Sequence, residues 1–200
     1  MNKKLLYIVI IVDIVFVISI LCINIKFNIQ DIKNNLSKDL VSNKQKNILY
    51  FAYGSNMNLN QMNNRCPNGF EKFKTHTLSD YALGFDQSGY ANIKEQKGSY
   101  VPGVVYKINK ECLASLGGYE GYPNHYNRLI VSIYDFDTRT TLKPWVYIQS
   151  PENFGGVPNK SYLDIIIAGA IENKLNNIWI NYLKAYTPDL DWMEYLRNNK

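Results

Sequence analysis

The chain has 200 residues, enough for one domain of ordinary size with some chain left over. Hydrophobic residues at 46% and charged residues at 20% exclude a disordered polypeptide. Three cysteines (Cys22, Cys66, Cys112), with no C-x-x-C or H-x-x-x-H spacing, are too few for a disulfide scaffold and offer no metal site. The net charge of +5 sits in the tail. Residues 1–47 carry seven Lys against three Asp, and residues 48–200 carry fifteen Lys and Arg against fourteen Asp and Glu. The body is therefore nearly neutral, which argues against a nucleic-acid partner.

Residues 1–4 form a short tail containing Lys3 and Lys4. Residues 5–25 follow, in which only Asp13, Ser19 and Asn24 are polar. As a helix at about 1.5 Å per residue this segment spans about 31 Å, enough to cross a bilayer core of about 30 Å. It is longer than the roughly 7–15 residue apolar core of a signal peptide and lacks a small-x-small exit. Leu21 before Cys22 argues against a lipidated cysteine. The reading is an uncleaved, single-pass transmembrane anchor. Asp13 costs about 2.5–3.5 kcal/mol at mid-span, and it is either a polar contact or a residue outweighed by its apolar neighbours. Lysines on both sides leave the side of the membrane open. Residues 26–46 space Ile29, Ile32, Leu36 and Leu40 by three and four, so this stalk is either a short amphipathic helix or a disordered linker.

Residues 47–200 read as one α+β domain. A strand over 47–53 ends at Gly54-Ser55-Asn56, and a helix is expected over 58–65. Short strands follow over 73–78, 81–85, 90–94 and 101–108. Asn109 caps a brief helix that Gly117-Gly118 should stop. Strands over 126–134 and 142–149 come next. A helix opens at Ser161 with a Ser-x-x-Asp capping box closed by Asp164, and another spans 176–186 before Pro188. Many strands without regular βαβ alternation point to a small, partly closed mixed β-barrel with flanking helices.

Two loops could carry chemistry. At Tyr53-Gly54-Ser55-Asn56 a strand meets a helix through a glycine, and successive N–H groups can converge on a carboxylate or an oxyanion. The same tripeptide is also ordinary turn chemistry. In Leu116-Gly-Gly-Tyr-Glu-Gly-Tyr-Pro123, Glu120 lies among tyrosines. Lost solvation would raise its pKa and suit it to proton transfer near neutral pH, unless it is simply a solvated loop residue. His76 and His125 have no partner nearby in sequence. Cys66 and Cys112 are each either a nucleophile or a small buried residue.

In order along the chain, Tyr50-Phe-Ala-Tyr-Gly-Ser-Asn-Met57, Val101-Pro-Gly-Val-Val-Tyr106, Tyr119-Glu120-Gly121 with Tyr126, the Tyr147 strand, and Tyr162-x-x-Ile-Ile-x-x-Gly-Ala-x-Glu172-Asn173 resemble the γ-glutamylcyclotransferase-like (AIG2-like) family over about residues 48–185. Three departures stand out. Gly117 replaces the aspartate usual after the leucine, Pro158–Ser161 replaces a more compact turn, and the anchor is an addition.

The resemblance implies an enzyme that cyclises the γ-glutamyl group of a small amine, amino acid or peptide to 5-oxoproline. Glu120 would be the proton carrier, and Tyr53, Gly54, Ser55, Asn56, Tyr126 and Tyr147 would hold the substrate, with the tyrosines supplying walls and hydroxyl donors. No metal or cofactor is implied, because ring closure is intramolecular. The leaving group and the oligomeric state are not legible. Two other readings stand beside it. One is a membrane-tethered binding module on the same fold without turnover. The other is an acyltransferase built on Cys66.

Overall fold

The computed structural model describes residues 18, 20–36 and 48–199, and the chain divides into two units at Lys44/Gln45. In the first unit residues 20–36 form helix α1, whose side chains are exposed. The helical alternative for the stalk thus holds over 26–36. The expected anchor over 5–25, including Asp13, lies mostly outside the described residues, as does 37–46 of the stalk. Among the described residues no helix is long and apolar enough to cross a membrane.

In the second unit, strand β1 (Ile48–Ala52) runs into a single 3-10 turn, Ser55–Met57, and then helix α2 (Leu59–Arg65). Asn58 caps α2 by accepting from the Gln61 N–H. Strands β2 (Phe70–Phe85) and β3 (Ala91–Ile108) form one long antiparallel hairpin, followed by helix α3 (Lys110–Tyr119). Then come β4 (Asn127–Ile130), β5 (Ile133–Asp135), β6 (Thr140–Leu142) and β7 (Trp145–Ile148). Helices α4 (Lys160–Glu172), α5 (Asn177–Lys184) and α6 (Trp192–Asn198) complete the chain.

The four short strands expected over 73–94 and 101–108 are two long ones, because each interruption is a bulge. Between Ser79↔Tyr100 and Tyr81↔Glu95, residues 96–99 stand opposite Asp80 alone. Asp80 and Gly98 take left-handed backbone angles, and the Asp80 carboxylate accepts the Gly98 N–H, so pairing resumes past the irregularity. The strands expected over 126–134 and 142–149 break for the opposite reason. Pro144 has no N–H for a ladder, and its carbonyl accepts from Val131. The outer halves pair as β4–β7 and the inner halves as β5–β6, in different sheets.

The five-stranded sheet has the order β2-β3-β1-β7-β4, with β1 and β7 parallel and the other pairs antiparallel. It is not closed into a barrel, contrary to the sequence expectation. Edge strand β2 meets the separate β5–β6 hairpin through side chains instead of a ladder, with Lys74 Nζ at 2.8 Å from Asp135 Oδ1. A side-chain bridge cannot carry the backbone register that closure demands.

Two helix ends also differ from expectation. Helix α3 passes through Gly117-Gly118, which cost it propensity without stopping it, and Glu120 is its C-cap, ahead of Gly121 at φ +63°. Helix α4 is capped by Asn159, whose side chain accepts the Ser161 N–H, and Asp164 instead pairs with Lys160. Helix α6 was not foreseen. It is capped by Asp191 and buries Trp192 edge-on against Trp179, with ring centroids 4.8 Å apart. Phe51 and Val105, paired across β1 and β3, are buried on one face of the sheet and Val104 and Ile108 on the other, and Leu116, Ile166 and Leu183 of the helices are buried in the same core.

Candidate active site

The turn after β1 is held close by what surrounds it. A Cβ at Gly54 would meet Ala91 Cβ at 3.1 Å, so glycine lets the turn approach the hairpin. A Cβ at Gly169 of α4 would meet the Asn58 nitrogen at 2.6 Å, so the helix lies directly on the turn. Asn173 Nδ2 donates to the Met57 carbonyl from the same side. Among the described residues, no acceptor takes the N–H groups of Ser55 and Asn56.

Asn56 is the hub of the site. Its amide donates to Tyr50 Oη at 2.8 Å and to Glu120 Oε1 at 3.0 Å, and its Oδ1 accepts from Arg65 Nη1 at 2.7 Å and Gln61 Nε2 at 3.2 Å. All four of its hydrogen-bonding positions are taken, which fixes the amide orientation. Gln61 Nε2 also donates to Ser55 Oγ at 2.6 Å.

Glu120 reaches this hub from the end of α3. The Tyr126 N–H returns to the Glu120 carbonyl at 3.2 Å, closing the loop and bringing both side chains into one place. The Glu120 side chain is only 16% exposed, and its Oε1 also takes Arg65 Nη1 at 3.2 Å. Among the described residues Oε2 takes no hydrogen bond. Burial raises the carboxyl pKa, while Arg65, Asn56 and His125 pull it back. Glu120 is therefore largely shielded from solvent, unlike a solvated loop glutamate.

The surrounding cavity, about 30 Å³ in volume, is lined by Tyr50, Tyr53, Gly54, Ser55, Asn56, Ala91, Glu120, Tyr126, Tyr147 and Tyr162. All seven residues singled out in the sequence lie there. Their tyrosines play a different part from the one expected. Tyr53 Oη donates to the Tyr147 carbonyl at 2.8 Å, Tyr126 Oη to the Ala91 carbonyl at 2.6 Å, and Tyr147 Oη to the Leu113 carbonyl at 3.3 Å. Each proton is committed to the main chain, so these hydroxyls offer lone pairs and are not free donors. Burial pushes all three phenols above their ordinary range, so they stay neutral.

Arg65, Gln61, Tyr50 and Tyr162 belong to the site and were missed. Tyr50 falls in the expected strand and Tyr162 in the expected helix, and both lie within the quoted motifs. Gln61 and Arg65 are offset from Asn58 by three and seven, one face of a helix, which was the available signal. Cys66 and Cys112 form a disulfide, so the Cys66 acyltransferase reading falls for want of a free thiol. His125 finds partners only in space: Nε2 lies 3.3 Å from Gln149 Nε2 and 3.8 Å from Asp86 Oδ2. Likewise His76 Nε2 is 3.8 Å from Asp135 Oδ2. A wider groove bordered by Tyr100, Trp179 and Trp192 is open to solvent, and its carboxylate, Asp80, is engaged at the Gly98 N–H.

An α+β domain with one hydrogen-bonded carboxylate in a tyrosine-lined cavity, beside a glycine turn, defines the class. The profile of the family described as "Gamma-glutamyl cyclotransferase, AIG2-like" matches residues 50–164. Human gamma-glutamylcyclotransferase is 30% identical over 167 residues, covering 78% of this chain and 87% of the human protein. The bovine gamma-glutamylcyclotransferase is 31% identical over 164 residues, covering 76% and 85% respectively. A solved structure titled "Gamma-glutamyl cyclotransferase" superposes with a TM-score of 0.63 at 29% identity, covering 76% of this chain and 96% of its own. The chain belongs to the γ-glutamylcyclotransferase, AIG2-like family.

Proposed function

We propose that this protein cyclises the γ-glutamyl group of a small substrate to 5-oxoproline and releases the attached amine. The observation that carries this reading is the position of Glu120, with one oxygen fixed by Asn56 and Arg65 and the other unengaged, in a cavity that also contains the Ser55 and Asn56 amides.

Glu120 removes a proton from the substrate α-ammonium, and the freed lone pair attacks the γ-carbonyl carbon. The new C–N bond closes a five-membered ring and places negative charge on the carbonyl oxygen, which the turn amides receive. As the intermediate collapses, the bond to the departing nitrogen breaks and Glu120 returns a proton to it. Over the whole reaction two protons leave the α-nitrogen and two reach the released amine, the second pair exchanging through solvent. The oxygens of Tyr53, Tyr126 and Tyr147, whose protons point elsewhere, suit the ammonium group before it reacts. At about 30 Å³ the cavity is far smaller than ligand pockets of roughly 300–1,000 Å³, so a glutamyl group enters it only as the surrounding side chains move aside.

The test is incubation of the full chain with a panel of γ-glutamyl amino acids, peptides and amines, with 5-oxoproline read by mass spectrometry. Glu120→Gln runs beside it and should lose about 10²–10⁴-fold in rate. Equal turnover by the variant, or none by the native chain on any panel member, refutes the proposal.

A further inference from the structure

We infer that the Cys66–Cys112 disulfide and its flanking hydrogen bonds form a clamp that holds Arg65 onto Glu120, making Arg65 a positioning residue for the carboxylate. The inference rests on the reaction proposed above.

Helix α2 has seven residues and Arg65 is its last, so intrahelical bonding alone holds that side chain weakly. The stretch from Arg65 to Gly69 is instead fastened to α3 and its N-cap at three places. Ser115 Oγ donates to the Arg65 carbonyl at 2.6 Å. Cys66 is bonded to Cys112, with the Cα atoms 4.9 Å apart. The Gly69 carbonyl accepts the Asn109 N–H at 3.0 Å, and Gly69 permits this approach because a Cβ there would meet Cys112 Cβ at 2.9 Å. Helix α3 is the element that ends in Glu120. The clamp therefore ties the end of α2 to the first turns of α3, the helix whose far end carries Glu120, the ion-pair partner 55 residues from Arg65 in sequence.

Arg65 is also well placed to act on the carboxylate. One nitrogen, Nη1, contacts both Asn56 Oδ1 and Glu120 Oε1, and the guanidinium lies 4.9 Å from the centre of the Tyr119 ring. The other titratable groups that act on Glu120 are His125, on the loop after α3, and the neutral phenols Tyr50 of β1, Tyr53 just after it, Tyr126, Tyr147 of β7 and Tyr162 of α4. Arg65 is the permanent cation among them, so its removal disfavours the carboxylate.

Thiols are first counted by alkylation of the denatured protein. One before reduction and three after supports the bridge, and three before overturns the inference. The pH dependence of kcat/KM is then measured for the native chain, Arg65→Gln, Arg65→Lys, the Cys66→Ala/Cys112→Ala double variant, and the triple variant combining the latter with Arg65→Gln. Losing a charge partner at this range moves a carboxyl by about one pH unit. The acid limb should therefore move up by about one unit in Arg65→Gln, less in Arg65→Lys, and in the same direction in the double variant. The triple variant should move no further than Arg65→Gln. A double variant that melts earlier but keeps the native acid limb overturns the clamp. Carbon-13 NMR titration of the Glu120 carboxyl, assigned by its absence in Glu120→Gln, reads the same shift without substrate. A shifted Glu120 in a chain without turnover would thus keep the clamp and refute the reaction, and an unshifted Glu120 in an active chain would do the reverse.

Discussion

Two glycines inside helices should respond to alanine with opposite signs. Alanine gains about 0.8–1 kcal/mol over glycine in a helix interior. At Gly118, next to last in α3, a Cβ meets nothing within 4 Å, so the gain should appear there, reduced by the nearness of the helix end. At Gly169 of α4 a Cβ would lie 2.6 Å from the Asn58 nitrogen, 2.8 Å from the Met57 carbonyl carbon and 2.9 Å from Met57 Cβ. Two of these atoms are backbone, so relief requires α4 to move about 1 Å off the turn at overpacking costs of about 1–3 kcal/mol. That movement also stretches the Asn173–Met57 bond of 2.8 Å and the Leu59–Glu172 bond of 3.0 Å, each worth about 1 kcal/mol. Less the helix gain, Gly169→Ala should be destabilised by about 2–4 kcal/mol. At about 2–4 °C per kcal/mol for a domain of this size, it should melt about 4–16 °C earlier, and Gly118→Ala up to about 4 °C later. All three tryptophans, Trp145, Trp179 and Trp192, lie in the second unit, so fluorescence melting of the full chain reports that unit. A Gly169→Ala variant melting at or above the native temperature would refute the close packing of α4 on the turn.

Three further outcomes are expected. Because burial raises the Glu120 carboxyl in the folded state, the fold binds that proton more tightly than the unfolded chain does, and stability falls as pH rises through this interval. Glu120→Gln should therefore be more stable than the native chain at pH 7, with the difference vanishing below the ordinary carboxyl range; denaturant titrations at the two pH values check this. Tyr126→Phe should lose roughly tenfold to a hundredfold in kcat/KM, the equivalent of about 1.5–3 kcal/mol for a hydrogen bond to a charged group, and steady-state kinetics on the best panel substrate decides. Asp135, held at about 2 chiefly by the Lys74 hydrogen bond, contributes stability that is present above the ordinary aspartate range and is lost as pH falls toward 2. Asp135→Asn should flatten that part of the acid-unfolding curve.

The site was legible wherever its residues announced themselves locally. Gly54, Ser55 and Asn56 mark a strand-to-helix turn, and Glu120 stands among tyrosines and glycines that no exposed loop needs. What escaped depended on distance along the chain. Arg65 gains meaning only when α3 brings Glu120 to it, and Cys66 and Cys112 are 46 residues apart in no recognisable spacing. The strands were misjudged where polar residues coincide with Gly98, since a bulge and a turn share the same composition and differ only in whether a partner strand continues opposite. The open sheet was hidden similarly: whether β2 meets β5 by ladder or by side chain is a matter of position, not of composition.

The main chain at Ala91 has a consequence for how this cavity can vary. Its carbonyl accepts the Tyr126 hydroxyl and its N–H donates to Tyr162 Oη at 3.2 Å, so the two peptide groups flanking one residue set two walls. The β2–β3 hairpin thus acts as a ruler, with Phe85 opposite Ala91 marking the place at which both rings are hung. Residues lengthened or shortened at the 96–99 bulge leave that mark untouched. A slip of one residue beyond it would turn Ala91 to the other face and hang the two tyrosines from the wrong peptide. The register that shapes the cavity is thus held at the tip of the hairpin.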